Sequence, residues 1–107
     1  MQDRITTILK AVADPTRREI FHALVVAATA LPITQISSQF DISRQGITKH
    51  LKTLEGAGLI NIDTKGRERF CQANANPLKE VNQWLKFYEQ FWDGALDDLS
   101  KYLDNMS

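Results

Sequence analysis

The segment Ile42-Ser43-Arg44-Gln45-Gly46-Ile47-Thr48-Lys49-His50-Leu51-Lys52-Thr53-Leu54-Glu55 decides how the chain is read. Ile47, Leu51 and Leu54 stand at i, i+4 and i+7, the spacing of one apolar stripe on an α-helix. At about 100° per residue, the direction opposite that stripe is filled by Gln45, Lys49 and Lys52, with Thr48 on one shoulder and no acid among them. Ser43 stands where an N-cap belongs, and Asp41-Ile42 makes a tight turn after an apolar stop at Phe40. The pattern is helix, short turn, helix. Such a face suits the major groove of DNA, where Gln and Lys reach base edges and phosphates. It suits an ordinary solvated helix face equally well, and this segment alone does not separate the two.

On the N-terminal side, Ile5, Ile8, Leu9 and Val12 predict a short first helix. Asp14-Pro15 is an N-cap and N1 pair opening a second helix that carries Ile20, Phe21, Leu24 and Val25 and ends near Ala28. Arg17 and Arg18 fall in its first turn, where the helix dipole disfavours cations; an acidic neighbour, or else a phosphate, is expected to compensate them. His22 is expected to pack in the core or an interface. Leu31-Pro32 reads as a loop, and Ile33, Ile36 and Phe40 mark a short third helix.

On the C-terminal side, Gly56-Ala57-Gly58 closes the fourth helix, with Gly58 as a left-handed stop. The period then becomes two. Leu59 to Thr64 and Arg67 to Gln72 read as strands joined at Lys65-Gly66, and a hairpin directly after a helix-turn-helix is a wing. Lys65, Arg67 and Arg69 are placed to reach a phosphate backbone or minor groove. A solvated tip carries such cations too, but three at one tip favour contact.

Asn76-Pro77 opens the last element as a second N-cap and N1 pair. Leu78, Val81, Leu85, Tyr88, Trp92, Ala95, Leu99, Tyr102 and Met106 follow at alternating spacings of three and four, an uninterrupted heptad seam. Trp84, Phe87, Phe91, Leu96 and Leu103 widen it. A helix from Leu78 to about Leu103 is roughly 39 Å long, more than a small body about 30 Å across can cover. Packing on its own domain accounts for Leu78 to Leu85 but not for the distal aromatics. These imply a partner, most economically the same helix of a second copy.

The chain has 107 residues, 43% of them hydrophobic, which makes one globular domain, short for an enzyme with a deep cleft. The longest apolar run, Ala23 to Ala28, cannot span a bilayer, and the N-terminus leads into no signal-type core, so a cytoplasmic protein is expected. The single cysteine, Cys71, excludes an internal disulfide and reads as a small structural residue rather than an oxidant sensor. Net charge is zero, but it is a sum of opposites. From Ile42 to Phe70 six cations face three acids, giving +3; from Cys71 onward three face six, giving −3. A basic middle and an acidic tail suggest one surface for a polyanion and another for water. His50 lies on the flank of the fourth helix nearest the core, where packing and a phosphate contact are both open readings. Gly46 costs about 1 kcal/mol of helix stability relative to Ala, which close approach to a DNA backbone or a neighbouring helix would justify. Asp93, Asp97 and Asp98 lack a base, nucleophile or metal ligand beside them and read as a solvated face. No enzyme activity and no cofactor are expected.

Asp14-Pro15-Thr16-Arg17, Ser43-Arg44-Gln45, Thr48-Lys49-His50-Leu51-Lys52 and Leu54-Glu55-Gly56-Ala57-Gly58-Leu59-Ile60, followed by a Gly-Arg wing, resemble the arsenical-resistance repressor (ArsR-type) winged-helix regulators. The resemblance covers about residues 5 to 75 and is specific in combination. The ending from Trp84 to Leu103 is similar to a metal-independent subgroup often found beside lipid-binding-type stress proteins. The resemblance implies a homodimeric bacterial transcription repressor on an operator palindrome, with the first and last helices forming the dimer. Many members also carry a metal site, and here the sequence departs. A thiolate pair on the third helix would fall around Ala30 to Ile36, where there is no cysteine, and the last helix has no histidine.

The expected fold is therefore mainly α with a small β-hairpin wing, a winged helix-turn-helix with a long C-terminal dimerisation helix. Residues 3–76 form the DNA-binding body, with the wing at about 59–73, and 77–104 the dimerisation helix. Gln45, Thr48 and Lys49 are the expected base readers. Arg44, Lys52, Lys65, Arg67 and Arg69 are the expected phosphate contacts, beside the capping Ser43. Dimerisation is expected through Ile5 and Leu9 with Leu85, Tyr88, Trp92, Ala95, Leu99 and Tyr102. The partners are double-stranded operator DNA and a second copy, with no membrane and no metal. The competing reading is a winged-helix protein-interaction module that uses its aromatic last helix for another partner.

Overall fold

The computed structural model describes the backbone of residues 3–106, and the side chains of that span apart from residues 93–100, 102 and 106. The order of elements is α1 (Arg4–Ala13), α2 (Pro15–Ala27), β1 (Leu31–Pro32), α3 (Ile33–Phe40), α4 (Arg44–Gly56), β2 (Ile60–Lys65), β3 (Glu68–Ala73) and α5 (Leu78–Met106). The three strands form one antiparallel sheet in the order β1-β3-β2. The arrangement is a winged helix-turn-helix, mainly helical, as the sequence predicts.

Every helix of the body presents an apolar stripe to one core. Ile8 and Ala11 of α1, Ile20 and Leu24 of α2, Ile36 of α3, and Ile47, Leu51 and Leu54 of α4 are almost wholly buried, with Leu59, Ile60 and Cys71 of the sheet region between them. No charged or polar side chain is buried among the described residues, so hydrophobic burial at about 25 cal/mol per Å² is the term that holds these helices together.

The termini of the helices show why the chain turns where it does. Asp3 and Asp14 cap α1 and α2, accepting from the backbone N–H of Thr6 (2.8 Å) and Arg17 (3.1 Å). These bonds are the leading reason that both carboxyls titrate below the ordinary range. Arg17 and Arg18 take carbonyls as their hydrogen-bond partners in place of the acidic or phosphate partner expected, although the charge of Arg17 also acts on the neighbouring Asp14. The Arg17 guanidinium donates to the carbonyls of Ala11 (2.7 Å) and Lys10 (3.1 Å), and that of Arg18 to those of Val12 (2.7 Å) and Ala13 (3.0 Å). Their charge lies at the negative end of the preceding helix dipole, where a cation is favoured. His22 is exposed on α2, which removes the core half of the expectation for it and leaves an interface position.

Between α3 and α4, Asp41 takes a left-handed conformation (φ 52°), one of the few non-glycine residues to do so readily. The N–H of Ile42 then bonds the Ser37 carbonyl, and the Ser37 hydroxyl bonds the Ile42 carbonyl at 2.6 Å. At the far end of α4, Gly58 (φ 76°) donates to Glu55 and Leu59 donates to Leu54, a Schellman stop whose two leucines are both buried.

Three junctions differ from the sequence reading. Leu31-Pro32 is a strand rather than a loop, pairing with Cys71 and Phe70. Two residues are too few to show an alternating pattern, and Pro32 is tolerated because β1 is an edge strand. The hairpin turns at Gly66-Arg67, one residue later than expected, because Lys65 pairs with Glu68 and Gly66 takes φ 65°. The lead-in to α5 is organised by Asn74, not by Asn76. The Asn74 amide donates to the Gly58 carbonyl (3.2 Å) and its oxygen accepts from the Asn76 N–H (3.2 Å), while Pro77 lies in the preceding turn and α5 begins at Leu78.

Gly46 has a packing reason. A Cβ there would lie 2.9 Å from Ile42 Cγ2 and 3.2 Å from the capping oxygen of Ser43, so the turn leading into its own helix already requires glycine and no neighbouring helix of the chain is needed to explain it. Gly46→Ala should consequently forfeit the roughly 1 kcal/mol that helix propensity would give and destabilise by about 1 kcal/mol instead. Gly58→Ala should cost about 1–2 kcal/mol through its left-handed backbone. Gly56→Ala, where nothing lies within 4 Å, should be neutral or stabilising. Urea unfolding at one fixed protein concentration measures all three.

Candidate nucleic-acid interface

The stripe that α4 buries determines what it shows. Ile47, Leu51 and Leu54 are at 0–1% exposure, and Gln45, Lys49 and Lys52 stand exposed on the far side, with Arg44 exposed on the flank at the start of the helix. Ser43 caps the helix by accepting from the Gly46 N–H at 3.0 Å; its own hydroxyl proton stays free to donate. Thr48 is half-buried and donates to the Arg44 carbonyl at 2.7 Å, so its hydroxyl proton is engaged and its methyl is the group left to meet a base. His50 is half-buried on the flank, and its charge, with that of Arg17, adds to the backbone bond that lowers Asp14. It therefore sits toward the start of α2.

The wing stands beside this face. Along β3, side chains alternate between the two faces of the sheet. Cys71 is fully buried on one face, and Arg69, two residues before it, shares that face and borders α4. Lys65 pairs with Glu68 on the other face and holds its ammonium 5.9 Å from the Phe70 ring. Arg67 occupies the turn. The three wing cations thus separate, with Arg67 and Arg69 turned toward α4 and Lys65 away from it.

Where α4, the start of α3 and the wing converge they leave a concavity of about 230 Å³, whose lining includes Thr34, Arg44, Thr48, Arg67 and Arg69. A second of about 240 Å³ continues along α4 past Thr48, Lys52, Glu55, Thr64 and Arg69. The one ion pair formed among the described residues joins Arg4 to Glu80 (3.0 Å). Among the described residues none of the cations facing these hollows has a carboxylate within 4.0 Å; Glu68 lines the first hollow and Glu55 the second, so cations outnumber acids on the face and its potential is positive. Thr34 is the member that sequence reasoning missed. Its signal was Pro32, whose place at the sheet edge brings the start of α3 against β3.

The proposed dimer residues fall into two groups. Ile5 and Leu85 are half-buried, and Leu9, Tyr88 and Trp92 are exposed, while the side chains of Ala95, Leu99 and Tyr102 lie outside the described residues. Leu78 and Val81 pack on the body. Beyond them α5 shows an aromatic face: Trp84 and Tyr88 meet edge-on at 5.5 Å, Phe87 and Tyr88 at 5.2 Å, and Phe87 and Phe91 tilt together at 5.6 Å. Phe87 is 60% and Phe91 57% exposed.

Neither α3 nor Cys71 offers a thiolate for a soft metal. α3 carries no cysteine, and Cys71 is sealed in the core, where burial first and the nearby Glu55 charge second push its thiol up to about 11. Thiolate ligation requires the opposite. Among the described residues no three of His, Cys, Asp and Glu come together, and no helix is long and apolar enough to cross a membrane.

The chain matches a helix-turn-helix domain family over residues 12–63. It is 39% identical over 85 residues to YuzN of Bacillus subtilis, an HTH-type transcriptional regulator, covering 74% of this chain and 92% of that protein. It is 30% identical over 81 residues to the arsenical resistance operon repressor of Staphylococcus xylosus, covering 76% of each. The crystal structure of the ArsR family transcriptional regulator RHA00566 superposes with a TM-score of 0.74 at 29% identity, covering 84% of this chain and 91% of that one. The homodimeric winged helix-turn-helix domain of Mb0332 from Mycobacterium bovis has the same fold, with a TM-score of 0.64 at 16% identity over 82% of this chain and 80% of its own. With α4, wing and relatives in agreement, the chain belongs to the ArsR-type family of winged helix-turn-helix transcriptional regulators.

Proposed function

We propose that the protein is a homodimeric repressor that lays α4 of each copy in the major groove of an operator half-site, with the wing against the flanking backbone. The observation that carries this reading is the division of α4 into a buried apolar stripe and an opposite exposed face bearing Gln45, Lys49 and Lys52, with Arg44 on the flank at its start and Glu55 as the one acid of the helix, near its end. Gln45 and Lys49 meet base edges and Thr48 offers a methyl to thymine. Arg44, Lys52, Arg67 and Arg69 hold phosphates, and Lys65 reaches the backbone from the outer face of the wing.

The dimer follows from α5. At 29 residues it is about 43 Å long, and its aromatic face past Val81 finds no cover in its own body. A second copy, as in the homodimeric Mb0332 domain, covers it together with Leu9. The two recognition helices are then set for half-sites one helical turn, about 34–36 Å, apart. Regulation in this reading does not run through a soft metal, because Cys71 is not available as a ligand.

On a duplex selected from fragments of the source genome, the wild-type dimer should neutralise about 6 to 10 phosphates. Log K against log salt should then fall with a slope of about −5 to −9, and a flat response would sink the reading. Light scattering should give a dimer mass; a monomer would favour the protein-interaction module. Cys71 should resist a thiol reagent in native protein at pH 8 and react promptly in denaturant. Fast labelling of the native form would return a redox or metal role to consideration.

A further inference from the structure

The concavity at the meeting of α3, α4 and the wing has a feature that a list of separate phosphate contacts does not explain. Its walls come from three elements. Arg44 and Thr48 stand on α4, Arg67 and Arg69 on the wing, and Thr34 at the start of α3. Among the described residues the three guanidinium groups have no carboxylate within 4.0 Å, although like charges gathered at one hollow repel. Glu68 is also on the rim, but the pairing of β3 assigns it to the sheet face of its neighbour Lys65. Thr48 spends its hydroxyl proton on the Arg44 carbonyl, whereas the Thr34 hydroxyl makes no hydrogen bond among the described residues and is free to donate. A volume of about 230 Å³ has room for several waters at about 30 Å³ each, and so for a phosphodiester group. Planar guanidinium forks are the side chains best matched to phosphate oxygens.

We infer that this concavity is a seat for a single DNA backbone phosphate, held jointly by Arg44 from the recognition helix and Arg67 and Arg69 from the wing, with Thr34 donating a neutral hydrogen bond. The inference rests on the DNA-binding reading above and deepens it. The wing and the recognition helix do not grip the backbone independently; they close on the same group. Loss of either arginine leaves the phosphate neutralised by the others, so its counterions are still released.

The experiment is a double-mutant cycle on salt slopes, with a duplex of arbitrary sequence about 30 base pairs long, sufficient for two half-sites a helical turn apart. Arg44→Ala and Arg67→Ala are combined, and Lys52→Ala with Arg67→Ala serves as reference, since Lys52 borders the neighbouring hollow. A shared phosphate limits the slope lost by Arg44→Ala/Arg67→Ala to about 0.9 per protomer, whereas two separate phosphates would cost about 1.8 per protomer. The reference pair should lose about 0.9 per protomer, the sum of its two single losses, because Lys52 holds a phosphate of its own and Arg67→Ala alone costs no slope. Thr34→Val should weaken binding about tenfold with the slope unchanged, because the hydroxyl carries no charge. Unchanged thermal midpoints show that all variants fold. Single losses of about 0.9 each for Arg44→Ala and Arg67→Ala, adding to about 1.8 per protomer, overturn the shared seat while leaving DNA binding intact, and a silent Thr34→Val removes α3 from it. Failure of the wild type to bind at any salt overturns the DNA-binding reading and the seat with it.

Discussion

Burial of Ile47, Leu51 and Leu54 is the constraint on which the rest depends. Those three side chains lock α4 in rotation, and on a helix locked in rotation every other position has an assigned direction. Polar residues that would be unremarkable on a tumbling helix become an oriented face. The same burial places the Schellman stop at Gly58 against the core, and from that point the wing leaves and α5 is anchored through Asn74 and Pro77. One apolar stripe therefore sets the aim of the recognition helix, the exit of the wing and the foot of the long helix.

The distribution of charge follows the same economy. Cations that are not meant for a partner are turned inward onto carbonyls: Arg17 and Arg18 close the end of α1 with four backbone hydrogen bonds. Arg4 is tied to Glu80 where α1 meets α5, an exposed pair of small energetic weight. Six further cations are gathered on α4 and the wing, while Lys10 stands on α1 and Lys79, Lys86 and Lys101 on α5. Zero net charge is compatible with an anion-binding surface because neutrality is reached by segregation, with the acids concentrated after residue 70.

The helical half of the fold was legible because its signals are local. Asp14-Pro15, the Ile47/Leu51/Leu54 stripe, the Ser43 cap and the Gly58 stop each act within one or two turns, and each lies where the spacing predicts. What the sequence did not show is long-range. β1 is two residues that become a strand only by meeting Phe70 and Cys71. The partners of Arg17 and Arg18 are carbonyls of the preceding helix, invisible to any search for opposite charge. Gly46 answers to Ile42 and Ser43, side chains of the preceding turn that no spacing rule points to. Thr34 joins the interface only because β1 draws the start of α3 against the wing. Among the wing cations, composition alone could not tell that Lys65 stands on the opposite sheet face from Arg69.

That short edge strand has a consequence for how the molecule assembles. The α3–α4 pair and the β2–β3 hairpin are each built from contacts between near neighbours in the chain, and such units close quickly. The Leu31–Cys71 pairing joins segments separated by both units and can form only after the intervening loop has closed. The groove between α3, α4 and the wing is thus a late product of folding, completed by a ladder of two residue pairs. An edge so short opens at low free energy relative to the core, and amide exchange there should precede that of α4, making the anion-facing groove the part of the body whose shape is most easily relaxed without loss of the helices behind it.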